Sequence, residues 1–131
     1  QEMIPLCAEE GVGLIPFSPL ARGTLAGNRQ REGGGETERA RLDALAKREI
    51  YRPSDFDIID RVVALAAAKG VKPTQVALAW LLGKAVVSAP IIGATRLEHL
   101  DDAAAAVDVS LTPAESAALE AGYVLRAPSA G

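Results

Sequence analysis

Two short apolar runs, each closed by residues that break regular structure, constrain this chain more than any other feature. The first, Gly11-Val12-Gly13-Leu14-Ile15-Pro16, suits a strand over 11–16 buried on both faces of a parallel sheet. The second, Val86-Val87-Ser88-Ala89-Pro90-Ile91-Ile92, is β-branched, ends at Gly93 and predicts a strand over 86–92. Pro90 lacks an N–H and weakens that ladder. Between the runs the chain turns polar, with three consecutive glycines at 33–35 inside a loop over 17–52. Ser54-Asp55-Phe56-Asp57 has the capping-box pattern and predicts a helix over 57–69, stopped by Gly70. Pro73 fits a first helical position, and Val76, Ala79, Trp80 and Gly83 line one face of a helix over 73–84. Beyond the second strand, Thr95-Arg96-Leu97-Glu98 repeats the capping-box pattern. It opens a helix over 96–106 that Leu97, Leu100 and Ala104 would pack, and Thr112-Pro113-Ala114-Glu115 opens a last one over 113–121. Strands alternating with helices indicate an α/β fold of parallel units. Two strands cannot close a sheet, and an eight-stranded β/α barrel takes roughly 250 residues, so the chain reads as about half of a larger fold. Gln1-Glu2-Met3-Ile4-Pro5-Leu6 lacks Met at position 1 and reads like the end of a helix already under way, so a truncated start is expected.

Composition narrows the function classes. Of 131 residues, 49% are hydrophobic, which is globular composition. Alanine supplies 25 positions, so the core must be built from Ala, Leu, Val and Ile packed closely. The net charge is −3, which leaves no global positive field for nucleic acid or an anionic membrane. With one cysteine, Cys7, and one histidine, His99, neither an internal disulfide nor a Cys/His zinc set can be assembled, and no metal site is expected. No apolar run approaches the roughly 20 residues of a membrane helix. A soluble protein in the reducing cytoplasm is expected.

Chemistry in β/α proteins sits at the carboxyl ends of the strands. After the first strand come Ser18, the amides of Leu20 to Gly23, and Arg22. After the second come Gly93, which lets a ligand approach the backbone, Thr95 at a helix cap, and Arg96 in the first turn. A cation in that turn costs about 0.3–1 kcal/mol, so its presence suggests an anion to be met. That cost is small, and on these grounds alone a solvated arginine is the simpler explanation. Thr95 caps a helix with or without a phosphate. Trp80 reads as core and Cys7 as a small buried hydrophobe.

At Ser18-Pro19-Leu20-Ala21-Arg22-Gly23 the sequence resembles a known family. The run from Glu10 to Gly27 is similar to the seventh-strand loop of aldo-keto reductases. Pro90 to Asp102 is similar to their eighth strand and the helix after it, and Gln75 to Leu82 to the helix before that strand. The resemblance covers roughly residues 1–121 and is nearest to the bacterial branch of YajO-like reductases. It implies the C-terminal part of a (β/α)8 TIM barrel, incomplete on its own. It also implies an oxidoreductase that passes hydride between NADPH and an aldehyde or ketone. On that resemblance Ser18, Leu20 and Gly23 contact the pyrophosphate, Thr95 and Arg96 meet the ribose 2′-phosphate, and Pro19 and Gly93 belong to the same cofactor-binding segments. His99 and Asp102 lie near the adenine, and Arg39 matches a loop arginine that closes over the cofactor.

The departures are as informative. The family's catalytic Asp, Tyr, Lys and His come from earlier strands, and nothing here matches them. His99 follows the last strand, and Tyr51 and Tyr123 lie outside any such motif. Carbonyl reduction needs a proton donor poised at the carbonyl oxygen, and this chain shows none. The expectation is therefore a cofactor-binding portion, inactive without the missing N-terminal half of the barrel. The alternatives are a non-catalytic nucleotide- or protein-binding module derived from the fold, and a piece that does not fold stably alone.

Overall fold

The computed structural model describes residues 2–27 and 53–125. Arg39 and most of the 17–52 loop lie outside them. Helix α1 covers Met3–Glu9 and buries Cys7. A 3-10 segment over Ala21–Ala26 follows, broken at Arg22 and Gly23. Then come α2 (Pro53–Lys69), α3 (Pro73–Leu82), α4 (Leu97–Ala105), a 3-10 turn (Ala106–Asp108) and α5 (Pro113–Glu120). No helix among the described residues is long and apolar enough to cross a membrane.

The helix ends follow local chemistry. Helix α2 begins at Pro53 rather than Asp57, because proline has the φ of a first turn and no N–H to satisfy. Ser54 therefore sits inside the helix instead of capping it. At the other end Gly70 takes φ +67, its N–H donates to Ala67 O at 3.2 Å, and Val71 N–H donates to Ala66 O at 3.0 Å. This pair of bonds is a Schellman stop, which needs a residue that tolerates left-handed backbone. Helix α3 stops at Leu82, two residues before the expected Lys84, where Gly83 N–H closes on Ala79 O at 2.9 Å. Helix α5 opens with a reciprocal box: Thr112 Oγ1 accepts from Glu115 N–H at 3.2 Å, and Glu115 Oε2 accepts from Thr112 N–H at 2.7 Å.

Helix α4 departs from its expected start. The residue before it is Arg96, extended at φ −139° and ψ 152°, so Thr95 does not cap it. Glu98 instead turns to Arg96, 3.2 Å from the guanidinium. The packing expected of Leu97 and Leu100 is absent: both are exposed, and α4 buries no residue.

The core lies between helices. Val62 and Ala66 of α2, Val76 of α3 and Leu119 of α5 form it, with Leu25, Ile58, Leu65, Val71, Trp80 and Leu111 packed against it. Helix α3 is central, touching α2, α4 and both 3-10 segments, so four successive residues, Val76 to Ala79, are all buried. A helix buried on every side needs small residues where neighbours approach, which Ala77 and Ala79 supply.

The two predicted strands are not continuous. Among the described residues they meet only at two isolated parallel bridges, Leu14 with Val87 and Phe17 with Ile91. Leu14 N–H donates to Val86 O at 2.7 Å, Ser88 N–H to Leu14 O at 2.8 Å, and Ile91 N–H to Pro16 O at 2.8 Å. Pro16 and Pro90 have no N–H to continue the ladder, and Val87 N–H is taken by Lys84 O in a turn. Burial on both faces is also absent, since Ile15, Phe17 and Ile91 are exposed, Phe17 by 81%. The register nevertheless decides where the loops go. Parallel pairing puts Phe17 beside Ile91, so the segments after both emerge at the same end.

Candidate functional site

That end holds a cleft of about 800 Å³. Nine of the ten residues singled out from sequence line it: Ser18, Pro19, Leu20 and Gly23 from the first loop, and Gly93, Thr95, Arg96, His99 and Asp102 from the second. The tenth, Arg39, is outside the described residues. Ala26, Lys72, Pro73, Thr74, Leu78 and Ile92 add to the walls, as do Arg22, Ile91, Glu98 and Ala103.

The first loop is shaped by left-handed backbone. Ser18, Ala21 and Arg22 take φ of 50°, 46° and 57°, followed by Gly23 at 88°. Such angles cost a non-glycine residue about 1–2 kcal/mol, so packing around the loop must hold them in place. Two of the four amides expected to face outward are used internally. Ala21 N–H donates to Ser18 O at 3.0 Å, and Gly23 N–H to Leu20 O at 2.9 Å. The glycine is needed for its φ rather than for an exposed amide. Behind the loop, the buried Thr24 hydroxyl lacks a hydrogen-bond partner among the described residues.

The second loop is open. A Cβ placed on Gly93 would meet no atom within 4 Å, so no described neighbour requires a glycine there. Thr95 Oγ1 lies 3.5 Å from His99 Nδ1, one turn along α4. Arg96 reaches Glu98, and both side chains are well exposed.

Lys72, the residue before α3, carries no motif and was not singled out from sequence. Its Nζ lies 2.7 Å from each carboxylate oxygen of Asp102. This hydrogen bond raises the Lys72 pKa above its ordinary value, with the charges of Asp102 and Glu98 adding to the effect and desolvation opposing it. Only the fold could have found the contact, because 30 residues separate the partners.

Residues 1–123 match the Aldo/keto reductase family. The chain belongs to that family. It is similar to the versiconal hemiacetal acetate reductase of Aspergillus parasiticus, 43% identical over 130 residues, covering 97% of this chain and 37% of the relative. Aldo-keto reductase AMT2 of Alternaria alternata is 39% identical, covering 98% of this chain and 34% of the relative. Norsolorinic acid reductase B of Dothistroma septosporum is 35% identical, over 94% and 30% respectively. Among solved structures, the thermostable aldo-keto reductase Tm1743, crystallised with the inhibitor epalrestat, superposes with a TM-score of 0.63 at 24% identity, over 92% of this chain and 33% of that one. That likeness establishes the fold: an incomplete part of the TIM barrel. The chain spans about a third of the curated relatives it matches, rather than the half expected from its strands.

Proposed function

We propose that this chain is the NADP(H)-binding portion of a cytoplasmic aldo-keto reductase. The enzyme would transfer hydride between NADPH and a small aldehyde or ketone. The observation that carries the reading is the convergence of the Ser18–Gly23 loop and the Gly93–Asp102 segment on one cleft, set by the Leu14–Val87 and Phe17–Ile91 register. The cleft fits a nucleotide with an extra phosphate in three respects. It is large enough, it carries Arg22, Lys72 and Arg96, and Gly93 leaves open space where a ligand would lie against the backbone. NADPH would supply the hydride. Ser18, Leu20 and Gly23 would contact the pyrophosphate, with Pro19 shaping their loop. Thr95 and Arg96 would meet the 2′-phosphate, with Gly93 admitting the ligand to the backbone, and His99 and Asp102 would lie on the adenine side, with Arg39 closing over it.

The reacting groups are assigned to a part of the protein outside this sequence. An Asp, Tyr, Lys and His set would come from the N-terminal remainder of the barrel, which would be this portion's structural partner. The similarity to bacterial YajO-like reductases belongs to the same reading and rests on the 10–27 and 90–102 runs. The relatives named above are fungal and share the family at large.

Arg96→Ala in the complete protein tests the reading. NADPH binding should weaken by about 1–2 kcal/mol, the scale of an exposed charge-assisted contact that must first leave Glu98, while NADH binding changes little. Equal losses for the two nucleotides, measured by titration calorimetry, would remove the phosphate role.

A further inference from the structure

The charges in the cleft come in opposed sets. Arg22, Lys72 and Arg96 line it together with Glu98 and Asp102. The two carboxylates are not equally placed. Glu98 is well exposed and answers Arg96 from the adjacent turn. Asp102 is only 22% exposed, and Lys72, from the residue before α3, places its ammonium on both oxygens at 2.7 Å. A poorly solvated carboxylate is less screened than one on the surface, so without Lys72 its charge would repel an approaching dianion.

Lys72 is also anchored in a way that leaves its side chain free to turn. Its backbone N–H donates to Gln75 Oε1 at 2.9 Å and opens α3, while the side chain remains 60% exposed. The backbone bond does not depend on what the side chain contacts. An ammonium has three donors and no fixed plane, so it can keep one carboxylate oxygen and offer a second proton to a phosphate.

We infer that Lys72 is a specificity-determining residue of this cleft. It neutralises Asp102 and shares its ammonium with the 2′-phosphate, so that the cleft prefers a nucleotide bearing that group to one lacking it. The inference rests on the nucleotide reading above and revises one part of it: Asp102 acts as a competitor for Lys72 rather than as a contact to the base. The two roles predict opposite signs. As a base contact, Asp102→Asn would weaken both nucleotides together. As a competitor, its loss releases Lys72 and favours the phosphorylated one.

The experiment measures dissociation constants for NADPH and NADH on the complete protein at low salt, with Lys72→Met, Lys72→Arg and Asp102→Asn. Lys72→Met should lower the NADPH-over-NADH preference by about fivefold, which is about 1 kcal/mol. Lys72→Arg should restore most of it, and Asp102→Asn should raise it by about threefold. Raised salt should shrink all three differences. Equal losses for both nucleotides in Lys72→Met, or a preference lowered by Asp102→Asn, would overturn the inference while leaving the nucleotide cleft in place. Failure of the unaltered protein to bind either nucleotide would overturn the cleft reading and the inference together. Should Lys72→Met fail to fold, the arginine and Asp102→Asn variants still decide the sign.

Discussion

The helical layer and the cleft are built by different rules. In the layer, Val62, Ala66, Val76 and Leu119 come from three helices and form an apolar cluster. In the cleft, left-handed backbone at Ser18, Ala21 and Arg22 shapes one wall, and the ion pair of Lys72, before α3, with Asp102 on α4 ties the other. The first region gains free energy by excluding water. The second is stabilised little by its own contacts and depends on the first to hold its walls. Stability and binding should therefore separate on mutation, and each region should fail in its own way.

Leu119→Ala should give the largest effect. Leu119 is buried against α2 and α3, and truncation leaves a cavity that the surrounding helices fill only partly. About 2–4 kcal/mol of stability should be lost, read from the denaturant midpoint of the complete protein, with nucleotide affinity of the folded fraction unchanged. A parallel fall in affinity would show that layer and cleft are one cooperative unit. Gly93→Ala should do the reverse. Its Cβ meets open space, so the denaturation midpoint should hold, while a methyl group in the ligand's path should weaken both nucleotides by about 1 kcal/mol. Unchanged affinity would place the ligand away from Gly93.

The same division explains how much the sequence discloses. The layer is legible because it is made of local signals: Gly70 stops α2, Pro73 opens α3, and Thr112 with Glu115 caps α5 through bonds three residues apart. Where a local signal misled, a neighbouring one prevailed. Pro53 started α2 ahead of the Ser54 box, and Arg96 took the capping position expected of Thr95. The two strands read as buried because their residues are apolar. Side chains such as Ile15 and Phe17 remain exposed because each segment pairs only with the other among the described residues. In the cleft the loop residues were legible as a motif. The internal use of the Ala21 and Gly23 amides and the Lys72–Asp102 pair were not, because both depend on where the chain turns in space.

The smallest effect lies on the layer's outer edge, where the two kinds of construction meet. Glu120 at the end of α5 accepts from Lys84 Nζ and from Trp80 Nε1, the latter at 2.9 Å, and Lys84 sits 4.5 Å from the centre of the Trp80 ring. The Lys84 bond is the main cause, and the indole bond the second, of a Glu120 pKa below the ordinary carboxylate value. A carboxylate with a depressed folded pKa contributes stability above its unfolded value of about 4.3, and the contribution disappears as pH falls through the folded value. The side chain is 45% exposed, so after solvent screening the contribution is at most about 1 kcal/mol. Glu120→Gln should therefore lower stability slightly at pH 7 and leave it unchanged at a pH below the folded value, where the native side chain is itself neutral. An equal loss at both pH values would mean that Glu120 acts through packing of its stem on Trp80 rather than through charge. The edge of the layer would then follow the apolar rule of its core.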